Sequence, residues 1–191
     1  PRHPDGHYPF ADLSGVGVAF KLAQALLTDA QPVTEKSELP TELLDLVALG
    51  EIADMVSLTD ENRTLVSWGL KQISDSPRPG IAALLKNAGQ VADQPINSET
   101  VSFKIAPRLN AVGRLGDAKL ALDLLVSQDD DTAVNLATQV EAINAQRQEI
   151  VEEVFGAAKQ IALSDKYHDD QVLVIAGENW HQGILGIVAS R

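Results

Sequence analysis

From Thr132 to about Ala162 the chain contains no proline and a single glycine, Gly156. Proline removes an amide donor and clashes with the preceding turn, so a span free of it can form one unbroken helix. At 1.5 Å per residue, about 31 residues would reach roughly 46 Å. A helix of that length with one apolar stripe links or buttresses domains. Asp129, Asp130 and Asp131 precede it, where negative charge favours a helix N-terminus. Positions 136, 140, 143, 147, 150, 154, 157 and 161 step by alternating fours and threes, a coiled-coil-like seam that Arg147 interrupts. The polar run "SDKYHDD" that follows reads as a boundary.

Shorter helices are predicted before it. Apolar residues at 16, 19, 20, 22, 23, 26 and 27 have helical spacing, and "AQPVTEKSELP" reads as a linker. Thr41 is a plausible N-cap for "ELLDLVALGEIADMVSL", whose apolar character on most faces predicts a buried helix ending near Asp54 to Leu58. Further helices are expected in "ENRTLVSWGLKQIS", in "IAALLKNAG" after the breaker run 76–80, and in "AKLALDLLVS". Beyond the boundary, "QVLVIAG" reads as a buried strand opening an α/β domain.

Composition narrows the functional classes. Without cysteine there is no disulfide and no thiolate metal site, so any metal must use oxygen or imidazole ligands; the expected compartment is a reducing cytosol. No apolar run reaches the roughly 18 residues of a membrane span, so no membrane partner is expected. A net charge of −12 argues against polyanion binding over the whole surface but leaves room for a local anion site. The first residue is Pro and the last stretch is apolar and uncapped, so the sequence reads as an excised piece of a longer chain.

Against that acidic background, "FKIAPRLNAVGRLGDAK" places Lys104, Arg108, Arg114 and Lys119 against one acid, Asp117. Pro107 fixes a backbone angle, Gly113 and Gly116 allow close approach to a ligand, and Arg108, Asn110 and Arg114 offer many donors, a set that suits a phosphate. The alternative is that the arginines cap carbonyls or pair with acids. Asp54, in the apolar "ALGEIADMVSL", is either a solvated helix end or a paired or metal-bound acid. His181, in "ENWHQGILG", could donate to a phosphate or serve structurally, and His3 with His7 carries no signal.

Five segments in this order, "YPFADLSGVGVAFKL", "DLVALGEIADMVSLTDENRTLVSWGL", "IAPRLNAVGRLGDAKLALDLL", "INAQRQEIVEEV" and "WHQGILGIVASR", closely resemble the RecJ family of DHH phosphoesterases. "APRLNAVGR" and "GIVASR" are characteristic of that family, and the likeness covers nearly all of the chain.

The resemblance implies an α/β parent: a catalytic DHH domain, a connecting helix and a DHHA1 domain clasping single-stranded DNA. It implies 5′ to 3′ exonuclease activity with Mn²⁺ or Mg²⁺, in bacterial cytoplasm, in DNA repair and recombination, with single-strand-binding protein and helicases as partners. The Asp-His-His signature and the other early metal-binding aspartates would precede residue 1, and a later Gly-Gly-His motif would follow residue 191. The last metal ligand corresponds to Asp54, and Arg108, Asn110, Arg114 and His181 would face the DNA phosphates. The expected division is 1–128 in the DHH domain, 129–164 as connecting helix and 165–191 opening DHHA1. This part should be mainly α, with apolar faces around Leu43 to Leu58 and Val172 to Ile175 exposed where the sheet is incomplete. Two alternatives are a catalytically silent RecJ-like replication scaffold and a DHH phosphodiesterase acting on small nucleotides.

Overall fold

The Asp129 carboxylate accepts the Thr132 amide at 2.7 Å and so starts the long helix, which runs from Asp130 to Ala162, 33 residues. The computed structural model describes residues 5–30, 40–91, 94–164 and 171–191. In chain order the elements are α1 (Gly15–Ala30), a 3-10 turn (Thr41–Leu43), α2 (Leu44–Ala53), α3 (Asp60–Asp75), α4 (Pro79–Asn87), α5 (Ser98–Thr100), a π-helical turn (Val101–Ile105), α6 (Ala106–Leu115), α7 (Lys119–Val126), α8 (Asp130–Ala162) and α9 (Gln182–Ala189). The mainly helical expectation holds, and no strand occurs among the described residues. The expected linker lies almost entirely, and the boundary run from residue 165 onward, outside them, as does His3.

The buried line of α8 is Ala133, Ala137, Val140, Asn144, Val151 and Val154. It shares Val140 and Val154 with the expected seam and otherwise runs along a neighbouring track, with Leu136 and Ile143 flanking it half-buried. Small side chains carry it because α4, α6 and α7 all pack against this helix. The main core joins Ile81 and Leu84 of α4, Val101 and Ile105 of the π turn, Val112, Leu124 and, from α8, Ala133, Ala137 and Val140. A smaller cluster of Leu13, Phe20, Val47 and Leu65 lies beneath α1.

α2 feeds both clusters, Leu49 and Ile52 the first and Val47 the second. This explains why it is apolar all round, and it corrects the expectation that its faces stand exposed: α1, α3 and the π turn cover them. Thr41 does not cap it. The chain enters through the 3-10 turn, and neither Pro40 nor Leu43 supplies a side-chain cap. Instead, buried Asp45 in the first turn accepts from Arg78 Nε at 2.5 Å, while the same guanidinium donates to the Glu42 carbonyl. That pair ties the start of α2 to the start of α4, which Pro79 occupies without losing a needed amide.

"QVLVIAG" does not form the buried strand expected of it. The segment is irregular, and Val172, Leu173 and Val174 are exposed. A strand needs a neighbour's ladder to satisfy its backbone, and no neighbour is present among the described residues.

Candidate active-site cleft

The cleft is built on the junction of α1 and α2. Ser14 Oγ accepts the amides of Val16 and Gly17 at 3.1 and 3.2 Å, capping α1. The Ser14 amide in turn donates to both carboxylate oxygens of Glu51, at 3.2 and 3.1 Å. Glu51 is fully buried, and burial pushes its carboxyl above the ordinary glutamate range. Hydrogen bonds from Ser14 and Gly17 oppose that rise, and the negative charge of Asp54 adds to it.

Asp54 closes α2 as its C-cap, with its amide on the Gly50 carbonyl at 3.0 Å and its side chain in solvent. Of the two readings of this acid, the solvated helix end describes its position. The next residue, Met55, has φ 54°, a left-handed conformation that favours glycine, and is 89% exposed. Asn62 of α3 holds the turn beyond: its Nδ2 donates to the carbonyls of Asp12 at 2.7 Å and Ser57 at 3.0 Å.

The opposite wall is α6. Asn97 forms a capping box with Thr100, and the π turn then inserts an extra residue per turn before Pro107, which sits in the first turn of α6. The "APRLNAVGR" segment is therefore helical. Asn110, Gly113 and Arg114 face Ser14, Gly50 and Asp54 across a cleft of about 810 Å³. A side chain at Gly113 would meet nothing within 4 Å, so the glycine leaves the cleft open there.

Arg114 Nη1 donates to the Gly183 carbonyl at 2.9 Å, in the first turn of α9. His181 caps that helix by accepting the Gly183 amide on Nδ1 at 3.1 Å. His181 thus adjoins Arg114 through Gly183 but does not line the cleft. Arg108 lies elsewhere. Its Nε and Nη2 engage Glu141 of α8 at 2.5 and 3.1 Å, and its Nη1 donates to the Lys104 carbonyl at 2.7 Å. Acid pairing and carbonyl capping are what Arg108 does here. Lys104 donates to Gln90 and Lys119 to Asp123, so the basic island of the sequence is dispersed over three contacts and one cleft arginine.

Three contributors escaped the sequence reading. Glu51 carried the same signal as Asp54, an acid in an apolar run one turn away. Ser14 and Asn62 gave none, because a serine before a helix or an asparagine within one is unremarkable until its burial is known. For metal, Asp54 is the right donor type, but no group of three or more His, Asp or Glu side chains is gathered among the described residues. These residues offer a divalent-ion site one carboxylate, Asp54.

No family model matches the chain. Individual relatives do. It is 43% identical over its whole length to the single-stranded-DNA-specific exonuclease RecJ of Bacillus subtilis (strain 168), and 38% identical to those of Dickeya dadantii and Escherichia coli K12. The chain belongs to the RecJ family. It spans 23% of the Bacillus RecJ and 35% of the other two, which fits an internal stretch of a RecJ protein. The fold agrees. A crystal structure of exonuclease RecJ bound to manganese superposes with a TM-score of 0.81 at 34% identity, covering 98% of this chain and 46% of that one. The crystal structure of Thermus thermophilus RecJ in complex with Mg²⁺ gives the same score and identity over 28% of its length.

Proposed function

We propose that this chain is the part of a RecJ exonuclease that supplies one wall of the active-site cleft, the connecting helix and the entry to the following domain. The parent protein hydrolyses single-stranded DNA from 5′ to 3′ in repair and recombination, using Mn²⁺ or Mg²⁺. The observation that carries this reading is the convergence of Asp54, Asn110 and Arg114 on one cleft from α2 and α6. A carboxylate faces an arginine and an amide across a space that admits a phosphodiester. The division into residues 1–128, 129–164 and 165–191 as DHH part, connecting helix and DHHA1 opening belongs to the same proposal, as do the bacterial cytoplasm and the single-strand-binding and helicase partners.

Asp54 would hold one divalent ion. When bound, such ions polarise the phosphoryl oxygen and lower the pKa of water. The chain's own residues position the strand. Arg114 offers a fixed fork of donors to a phosphate, and Asn110 adds an amide, so the backbone is gripped without its bases being read. His181 and Arg108 act one step back, His181 by shaping the Gly183 turn that Arg114 leans on and Arg108 by fixing α6 to α8. Neither a scaffold without catalysis nor a small-nucleotide phosphodiesterase is favoured by a particular feature of the cleft.

In the complete protein, Asp54→Ala should abolish cleavage while leaving single-strand affinity in the absence of metal nearly unchanged. Turnover near the wild-type rate at saturating Mn²⁺ would remove Asp54 from the site.

A further inference from the structure

Glu51 of α2 and Asn62 of α3 are polar side chains with no exposure to solvent. No lysine or arginine pairs with Glu51 among the described residues, and Asn62 keeps its Oδ1 buried without a partner. Apolar side chains of similar size would bury at lower cost. What such a polar pair adds is direction, because each hydrogen bond fixes the stretch of main chain that it reaches.

All of that main chain borders Asp54. The Glu51 side chain takes the Ser14 amide at the entry of α1, while the Glu51 carbonyl accepts the Val56 amide at 3.4 Å. With the Met55 amide on the Ile52 carbonyl at 3.1 Å, this makes the Asp54 turn a Schellman turn. Met55 occupies its left-handed position, where glycine is usual, so the turn is strained and persists only if its surroundings hold it. Asn62 joins the far ends, through Nδ2, on the Asp12 carbonyl before α1 and the Ser57 carbonyl beyond the turn. From Ser14 the path runs through Glu51, the Asp54 turn, Ser57, Asn62 and Asp12 back to Ser14. It is a closed circuit of chain and hydrogen bonds, and Ser14 and Asp54 both line the cleft.

We infer that Glu51 and Asn62 are positioning residues for Asp54: they fasten the turn that carries its carboxylate to the entry of α1, and so hold it at one place in the cleft. This rests on the proposed function for the ion that Asp54 would hold, but not for the fastening itself. Neither residue touches the ion or the strand. Each acts through main chain, as a group that orients a metal ligand does from behind it.

In the complete protein, Mn²⁺ affinity read from the electron paramagnetic resonance signal of free Mn²⁺ reports on Asp54 without requiring cleavage. Glu51→Leu and Asn62→Leu should each weaken it about ten- to hundredfold at unchanged stoichiometry, the range for removing a group that orients a metal ligand. Loss of folded protein would instead lower the stoichiometry and leave the dissociation constant alone. Glu51→Gln should keep near wild-type affinity, since its oxygen still accepts from Ser14. Because Glu51→Leu leaves a buried amide without a partner and could fail to fold, Asn62→Leu carries the test by itself. Wild-type affinity in Asn62→Leu would overturn the inference. So would a loss in Glu51→Gln as large as that in Glu51→Leu, because charge rather than direction would then be what Glu51 supplies. Asp54→Ala separates the two readings: if it leaves Mn²⁺ affinity unchanged, the ion-binding role and the positioning role fall together, whereas a loss there beside unchanged leucine variants strikes the positioning role alone.

Discussion

Glu51 and Asp54 are one helical turn apart and have opposite surroundings. Asp54 ends its helix in water, whereas Glu51 is enclosed and raised above the ordinary glutamate range by burial. A carboxyl whose folded-state pKa lies above its unfolded value contributes stability at low pH and loses that contribution as pH rises through the folded value. Glu51→Gln should therefore flatten the decline of melting temperature above the usual carboxylate range, because the amide can still accept from Ser14 without ionising. Scans from about pH 4 to about pH 8 check this. The melting-temperature difference, variant minus wild type, should grow with pH, and a constant difference would mean that Glu51 ionises as it does in water. At this scale the sequence was legible where a residue was anomalous for its neighbours, as with Asp54 and Arg114. It was illegible for Arg108, because its partner Glu141 is 33 residues away and nothing local announces the pairing.

Among the elements, α2 and α3 are in close contact at Gly69. A β-carbon there would fall on the Leu44 carbonyl oxygen and, at 2.5 Å, on the Ala48 side chain. Backbone cannot yield as a flexible side chain can, so Gly69→Ala should cost about 1–3 kcal/mol, the usual penalty of overpacking, read as a lowered urea midpoint. An unchanged midpoint would show that the two helices separate freely. The helices themselves were readable from proline spacing and apolar period. The start of α2 and the track of α8 were not, since a 3-10 entry and a seam of Ala133, Ala137 and Asn144 depend on how near the neighbouring helices come. Counting large apolar residues finds the rhythm of such a seam but not its position.

For the whole molecule, the exposed apolar residues are the telling feature. Leu22 and Leu26 on α1 are each 61% exposed, and Val172 and Val174 near the C-terminal end are 78% and 80% exposed. In a chain of net charge −12, repulsion opposes association at low salt and is screened at high salt. Sedimentation should show concentration-dependent self-association that strengthens with salt, and Leu22→Glu combined with Leu26→Glu should reduce it. A monomer at every salt concentration would mean these faces are too dispersed to pair. The purified chain should also fail to digest a 5′-phosphorylated single strand with Mn²⁺ added, since Asp54 is the one carboxylate lining its cleft among the described residues. Metal-dependent digestion would place a working centre within these 191 residues.

The length of α8 has its own consequence. Its first half is seated on α4 and α7 through Ala133, Ala137 and Val140, while Glu152 and Phe155 receive Arg191 just beyond the end of α9. Each residue added between those anchor points would turn the far half by about 100° and carry it about 1.5 Å along the axis. A single insertion would swing the α9 docking face a quarter-turn away. Seven would bring it back to within about 20°, displaced by roughly 10.5 Å. The helix thus behaves as a vernier with few permitted settings, and length changes in this part of the chain should be tolerated only in steps, such as about seven or eleven residues, that restore the phase.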